Sequence, residues 1–208
     1  MSKKIKIFCG PNQYDFLKLY SPEEGDYIVG VDSGLEYLIK HHILIDLAVG
    51  DFDSLQPDLL DVVMKQSKKV LELDTKKNMT DLAFAIDYLY NHMDYQSITV
   101  YGGIGGRIDH FLANVNLIKQ YDLEFIDDQH RLYPLRKGRY TIQNQHQYIS
   151  FFAIEDVYDL TMRGFAYELD QYYLSTTDSL CVSNQGSGEL EFSKGRLLIV
   201  MTNDSFIP

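Results

Sequence analysis

Several short segments place carboxylates and glycines together in a way that suits phosphate chemistry. Asp32 lies in Val-Asp-Ser-Gly, Asp51 and Asp53 lie in Val-Gly-Asp-Phe-Asp-Ser-Leu, and Asp109 lies in Gly-Gly-Arg-Ile-Asp-His. A fourth acid, Asp81, follows Asn-Met-Thr. Gathered carboxylates suit a hard divalent cation such as Mg²⁺, which takes a few carboxylates and completes its shell with substrate phosphate oxygens. Asp81 could equally serve only the dipole of a helix start, and the Asp51/Asp53 pair could be no more than a turn. Between residues 100 and 114 four glycines precede Arg107. Glycine lets backbone N–H groups approach an anion, a helix start adds positive potential, and a guanidinium makes forked bonds to phosphate. Arg107 is the only arginine before Arg131. His110 could touch phosphate, shuttle a proton or simply cap the loop. The stretch is neither a Walker A loop nor a good dinucleotide fingerprint. No HExxH, GxSxG or Ser/His/Asp set is present.

These residues need elements to hold them. Short apolar runs at residues 5–8, 27–31, 47–49, 69–73, 97–101 and 123–127 read as strands. Residues 35–41, 57–66, 80–92 and 109–120 read as helices, the third with Leu82, Ala85, Ile86 and Leu89 at helical spacing. This alternation predicts a mostly parallel α/β sheet domain over residues 1–128, with the acidic turns beyond strand ends, where ligands bind in open α/β sheets. Residues 129–208 carry no amphipathic helix pattern. Short runs at 131–135, 139–142, 148–153, 157–162, 165–169, 180–183, 189–192 and 196–201, parted by turn signals, predict a small antiparallel β-sandwich.

Composition narrows the class further. The chain has 208 residues, 30 Asp+Glu against 19 Lys+Arg, a formal net charge of −11, and no Trp. The acid excess, concentrated in residues 1–128, argues against a nucleic-acid surface. Cys9 and Cys181 form no CxxC, which excludes a zinc ribbon or disulfide scaffold. No run approaches the roughly 18–20 apolar residues of a membrane span, and the N-terminus lacks a signal-peptide core. A cytoplasmic protein is expected.

Taken together, Asp32-Ser33-Gly34, Asp51-Phe52-Asp53-Ser54, Lys77-Asn78-Met79-Thr80-Asp81 and the segment from Gly105 to Asn114 resemble the thiamine pyrophosphokinase family in order and spacing. Gly164-Phe165-Ala166-Tyr167-Glu168-Leu169 and Val182-Ser183-Asn184 resemble its later Gly-x-x-Tyr-x-Leu and Ser-Asn segments. Asn78 stands where the family usually has Asp, and this chain has no Trp like the one some relatives set against the thiamine ring, so a Tyr or Phe from Phe165–Tyr173 is expected in its place. The resemblance implies ATP-dependent conversion of thiamine to thiamine diphosphate with release of AMP. It implies Mg²⁺ and triphosphate organisation by Asp51, Asp53 and Asp81, with Arg107 and Asp109 also catalytic. Asp109 is a further metal or hydroxyl-orienting candidate. It implies nucleotide binding by Asp32, Gly34, Gly105, Gly106, Arg107, His110 and Asn114, and thiamine contacts from Lys77, Thr80, Ser183 and Asn184. It also implies a homodimer whose active site joins the α/β domain of one chain to the β-sandwich of the other. Two other classes compete: a haloacid-dehalogenase-like phosphatase with Asp51 as nucleophile, and a non-catalytic thiamine or nucleotide sensor. The first fits poorly at Leu55 and leaves the Gly-Gly-Arg-x-Asp-His segment unexplained. The second has little need of four acids around phosphate.

Overall fold

The structure, a computed structural model, describes residues 2–10, 15–53, 55–74, 76 and 78–204. It divides into two compact units, residues 1–128 and 129–208. Ser54 and Lys77, both part of the motifs above, lie outside the described residues.

The first unit alternates strands β1 (Lys3–Phe8), β2 (Asp26–Val31), β3 (Ile45–Gly50), β4 (Ser67–Glu72), β5 (Tyr95–Tyr101) and β6 (Leu123–Ile126) with helices. The helices are α1 (Gly34–Lys40), α2 (Pro57–Gln66), α3 (Asp81–His92) and α4 (Ile108–Gln120). The strands lie in the order β4-β3-β2-β1-β5-β6, and each described pair within this unit is parallel. Leu47, Ala48 and Val49 are consecutive and all fully buried, as expected of a strand covered on both faces.

Local chemistry sets the helix starts. Thr80 caps α3 through its Oγ1, which accepts from the Ala83 N–H at 3.2 Å. Its Leu82, Ala85, Ile86 and Leu89 are the buried stripe that the spacing predicts. Pro57 opens α2, where its missing N–H costs nothing. The start of α4 at Arg107 has no side-chain cap from Arg107 itself, and the Asp109 carboxylate engages the His110 N–H in its first turn. Under the C-terminal ends of the central strands, Phe8 stacks on Tyr101 at 4.9 Å and meets Tyr20 and Phe16 edge-on. That aromatic block ties β1 to β5.

The second unit contains β7 (His130–Ile142), β8 (Tyr148–Arg163), β9 (Leu169–Leu174) and β10 (Gly188–Thr202). The order is β7-β10-β8-β9 with antiparallel pairing. The eight short strands expected from sequence are thus mostly halves of three long ones, and the spans at 165–169 and 180–183 are not strands. Gly138 and Gly195, which lie inside β7 and β10, mark a bulge and not a turn. Ladder register shifts between Phe192 and Arg196, and a Cβ on Gly195 would stand 2.2 Å from the Asp156 carbonyl oxygen. The bulge has a packing purpose. Leu190 and Phe192 are buried before it, and Leu197, Ile199 and Met201 after it. The buried parity flips, so both halves of β10 face one core with Phe151, Val157 and Leu160.

Candidate active site

The strand order places the site. The chain steps outward from β1 to β4, then returns to lay β5 on the other side of β1. At such a reversal the loops leaving the two strands diverge and open a crevice beyond their carboxyl ends. Gly10 follows β1 and residues 102–106 follow β5. The Gly103 N–H donates to the Gly10 carbonyl at 3.0 Å, and the Gly102 N–H to the Ile126 carbonyl at 3.0 Å. Gly102, Gly103, Gly105 and Gly106 all have positive φ. A Cβ on Gly102 would stand 2.3 Å from the Cys9 carbonyl oxygen, so only glycine permits this approach. A cleft of about 320 Å³ opens here, lined by Cys9, Gly10, Asp32, Ser33, Thr80 and Asp81 on one side. Gly103, Gly105, Gly106, Arg107, His110 and Asn114 line the other.

The acids divide into two groups. Asp32 and Asp81 line the cleft; Asp51, Asp53 and Asp109 do not. Asp32 has φ 47°, and its N–H donates to the Val49 carbonyl at 3.1 Å. This turn lays its carboxylate over Gly50, where a Cβ would stand 2.5 Å from Oδ1. The next turn is built differently. Phe52 is buried in the core with φ 57°, which leaves Asp51 half-buried and Asp53 exposed on either side of it. The Asp53 N–H reaches Asp51 Oδ1 at 3.5 Å. Asp32 and Asp51 therefore leave neighbouring strand ends, β2 and β3. Among the described residues, no three His, Cys, Asp or Glu side chains form a ready metal cage. Such a cage is not what Mg²⁺ needs when a substrate supplies oxygens. The hard oxygen donors at these strand ends, and a glycine cradle that keeps the Asp32 carboxylate in place, fit that ion.

Arg107 is engaged within its own helix start. Its Nη2 and Nε donate to Asp109 at 2.6 and 3.1 Å, with both side chains exposed. Arg107 hydrogen bonding holds the Asp109 carboxyl below its usual range, helped by the His110 backbone N–H. An exposed pair of this kind is held weakly. The Cys9 thiol, which donates to the Tyr101 carbonyl at 3.8 Å, is pushed up to about 12 by burial and secondarily by Asp32. It is a neutral surface of the cleft at physiological pH.

Gly34 is placed by packing. It is buried at the start of α1, and a Cβ there would stand 2.0 Å from the Phe8 carbonyl oxygen. In the second unit Ser183 is exposed with φ 59°, its N–H donating to Ser150 Oγ at 2.9 Å. Asn184 is only 2% exposed, and its amide is spent internally. Its Oδ1 accepts from the Tyr167 and Gln185 N–H groups, each at 2.9 Å, and its Nδ2 donates to the Tyr167 carbonyl at 2.8 Å. Tyr167, held at both ends of its backbone, leaves its ring 69% exposed. The site residues assigned from sequence did not include Cys9, Gly10, Ser33 or Gly103, although Ser33 and Gly103 lie inside the motifs; Gly10 reads as a strand terminator until the strand order is known. Tyr167 lies in the 165–173 stretch expected to supply an aromatic in place of Trp, and it is the most exposed aromatic there.

Fold and cleft together define an α/β protein with a glycine-lined crevice at its topological switch point. Comparison with known proteins specifies the family. The thiamin pyrophosphokinase catalytic domain matches residues 21–127, and the thiamin pyrophosphokinase vitamin B1 binding domain matches residues 139–197. Thiamine pyrophosphokinase of Bacillus subtilis is 31% identical over 97% of this chain and 100% of its own. The crystal structure of thiamine pyrophosphokinase from B. subtilis superposes with a TM-score of 0.84 at 30% identity, covering 97% of this chain and 100% of the other. That of thiamin pyrophosphokinase from Geobacillus thermodenitrificans does so at 0.82 and 30%, covering 99% of each. The chain belongs to the thiamin pyrophosphokinase family.

Proposed function

We propose that the protein transfers a diphosphoryl group from ATP to the hydroxyl of thiamine, giving thiamine diphosphate and AMP. The observation that carries this reading is the switch-point cleft, where the glycine loop, the start of α4 and strand-end carboxylates meet, in a chain of this family. Phosphoryl transfer relies on positioning and charge neutralisation more than on covalent help from the protein. Asp81 in the cleft and Asp51 and Asp53 at the neighbouring turn would hold Mg²⁺, with Asp32 held over Gly50 as a further oxygen donor, and the bound ion would neutralise charge on phosphate oxygens. The backbone around Gly105 and Gly106 and the Arg107 guanidinium take the triphosphate. Arg107 exchanges Asp109 for phosphate oxygens at little cost, because the existing pair is exposed. That exchange frees the Asp109 carboxylate to orient the attacking hydroxyl. The thiamine oxygen bonds to the β-phosphorus as the bond from that phosphorus to the α,β-bridging oxygen breaks; AMP leaves, and the hydroxyl proton is released to solvent.

In this reading the second unit, four described antiparallel strands wrapped around one buried cluster, supplies the thiamine side. Thiamine is a cation, and a fixed aromatic face suits it; Tyr167 takes the place of the missing Trp. Ser183 and Thr80 stand as polar contacts, with Lys77, while Asn184 serves by holding Tyr167. Apolar residues are left uncovered beside the motifs of each unit: Met79, Ile108 and Leu112 in the first, Leu180 and Val182 in the second. A second copy of the chain, completing the site across a homodimer, accounts for them. The two free cysteines suit the cytoplasm, and among the described residues no helix is long and apolar enough to cross a membrane.

Mass spectrometry of products from thiamine, ATP and Mg²⁺ tests the proposal. Thiamine diphosphate and AMP in equal amounts support it. Inorganic phosphate with ADP, or binding of thiamine without AMP, would replace it with the phosphatase or the sensor.

A further inference from the structure

We infer that Asn114 is a positioning residue, which sets the glycine loop for phosphate by holding the Gly103 carbonyl, and is not itself a nucleotide ligand. The inference rests on the function proposed above only in naming the ligand. Asn114 is the seventh residue of α4 and is 7% exposed. Its Nδ2 donates to the Gly103 carbonyl at 2.8 Å in a buried contact. A carbonyl only accepts, so the orientation of the amide is fixed by its partner. Gly103 is therefore gripped on both sides, its N–H by the Gly10 carbonyl and its C=O by Asn114. The grip requires glycine, since φ is +70° and a Cβ would stand 3.1 Å from Asn114 Nδ2.

The grip matters because of the residues just beyond it. Residues 105–110 are exposed, and this is the part of the loop that meets phosphate. Ile104 is buried and anchors the loop by packing, but packing does not dictate the direction of a peptide plane. The Asn114 hydrogen bond does, and it makes the loop entry and α4 move as one body. The adjoining N–H groups are thereby preorganised instead of being ordered at the expense of nucleotide affinity.

The test uses the full chain and two variants. Asn114→Asp keeps the shape but offers a carboxylate that cannot donate to Gly103, and Asn114→Ser removes the reach without adding charge. Amide hydrogen exchange of residues 102–107 is measured without ligand. Calorimetry then measures a non-hydrolysable ATP analogue and thiamine separately. At least tenfold faster exchange in the loop is expected, with analogue affinity lowered about tenfold, thiamine affinity within twofold of wild type, and for Asn114→Ser a thermal midpoint only about 2–4 °C lower, the size of one lost hydrogen bond. Unchanged exchange with weakened analogue binding would make Asn114 a direct ligand and overturn the inference. Equal loss of both ligands, or no loss at all, would overturn it as well. Should the wild-type chain fail to bind the analogue, the proposed function falls, and the exchange measurement still decides the grip.

Discussion

Replacing Asn184 by Ala should uncouple Tyr167 from the second unit, and the structure sets the size of the effect. The substitution removes one acceptor that serves the Tyr167 and Gln185 N–H groups, and one donor to the Tyr167 carbonyl. The side chain is almost fully buried, so water does not readily replace it. At about 1 kcal/mol for each hydrogen bond, the loss is about 3 kcal/mol. For a chain of this size that corresponds to a fall of roughly 6–12 °C in thermal midpoint. Urea denaturation followed by tyrosine fluorescence measures the stability. Steady-state kinetics with thiamine and ATP varied in turn measures the function. KM for thiamine should rise at least fivefold, because the Tyr167 ring is no longer presented, while KM for ATP stays within twofold. A loss below about 1 kcal/mol would show that the amide is not the clamp described. A full stability loss with both KM values unchanged would show that Tyr167 does not meet the substrate.

The same geometry sets further outcomes. Asp53→Asn and Asp81→Asn should each lower AMP production by a factor of several hundred or more, with circular dichroism unchanged; near-normal turnover by both would refute their assignment. Tyr167→Ala should raise KM for thiamine roughly tenfold while Tyr167→Phe restores most of it, since a cation on an aromatic face is worth about 1 kcal/mol or more and needs no hydroxyl. Gly34→Ala should cost more than about 3 kcal/mol, because its Cβ would fall 2.0 Å from backbone and not from a movable side chain; a wild-type denaturation midpoint would contradict the packing. Cys9 should resist iodoacetamide at pH 8 in the folded chain, as read by intact mass. Its thiol is raised in the folded state, so it favours folding most below the unfolded thiol range, and that contribution fades as pH climbs toward about 12.

How far the sequence carries can be judged residue by residue. In the first unit the pattern is local: Leu82, Ala85, Ile86 and Leu89 specify a helix face on their own, and the apolar runs of β1 to β6 are each bounded by their own turn residues. The second unit depends on distinguishing a bulge from a turn, and glycine serves both. Gly195 reads as the end of a strand, yet its backbone closes on Asp156, nearly forty residues earlier. Asp32, Asp81, Arg107 and His110, which the structure brings to the cleft, are legible because their chemistry is rare, whereas Asp51, Asp53 and Asp109 read the same way and lie outside its lining. The residues that hold the site are not legible, because Gly10 meets Gly103 only through strand order, and Asn184 looks like a polar turn residue until its buried partners are seen.

The strand order also has a consequence for the newly made chain. The first four strands can pair as β4-β3-β2-β1 as soon as they are synthesised. β1, the middle of the finished sheet, is then an open edge until β5 arrives about ninety residues after it. Ile5, Ile7 and Phe8, fully buried at the end, face solvent or a neighbouring nascent chain during that interval. Lys3, Lys4 and Lys6 interleave with them, and charge along an exposed edge is what discourages one strand from adding to another. Lys4 pairs with Glu23 at 2.7 Å in the finished fold; on a half-made sheet the same charges would act against strand addition at the open edge.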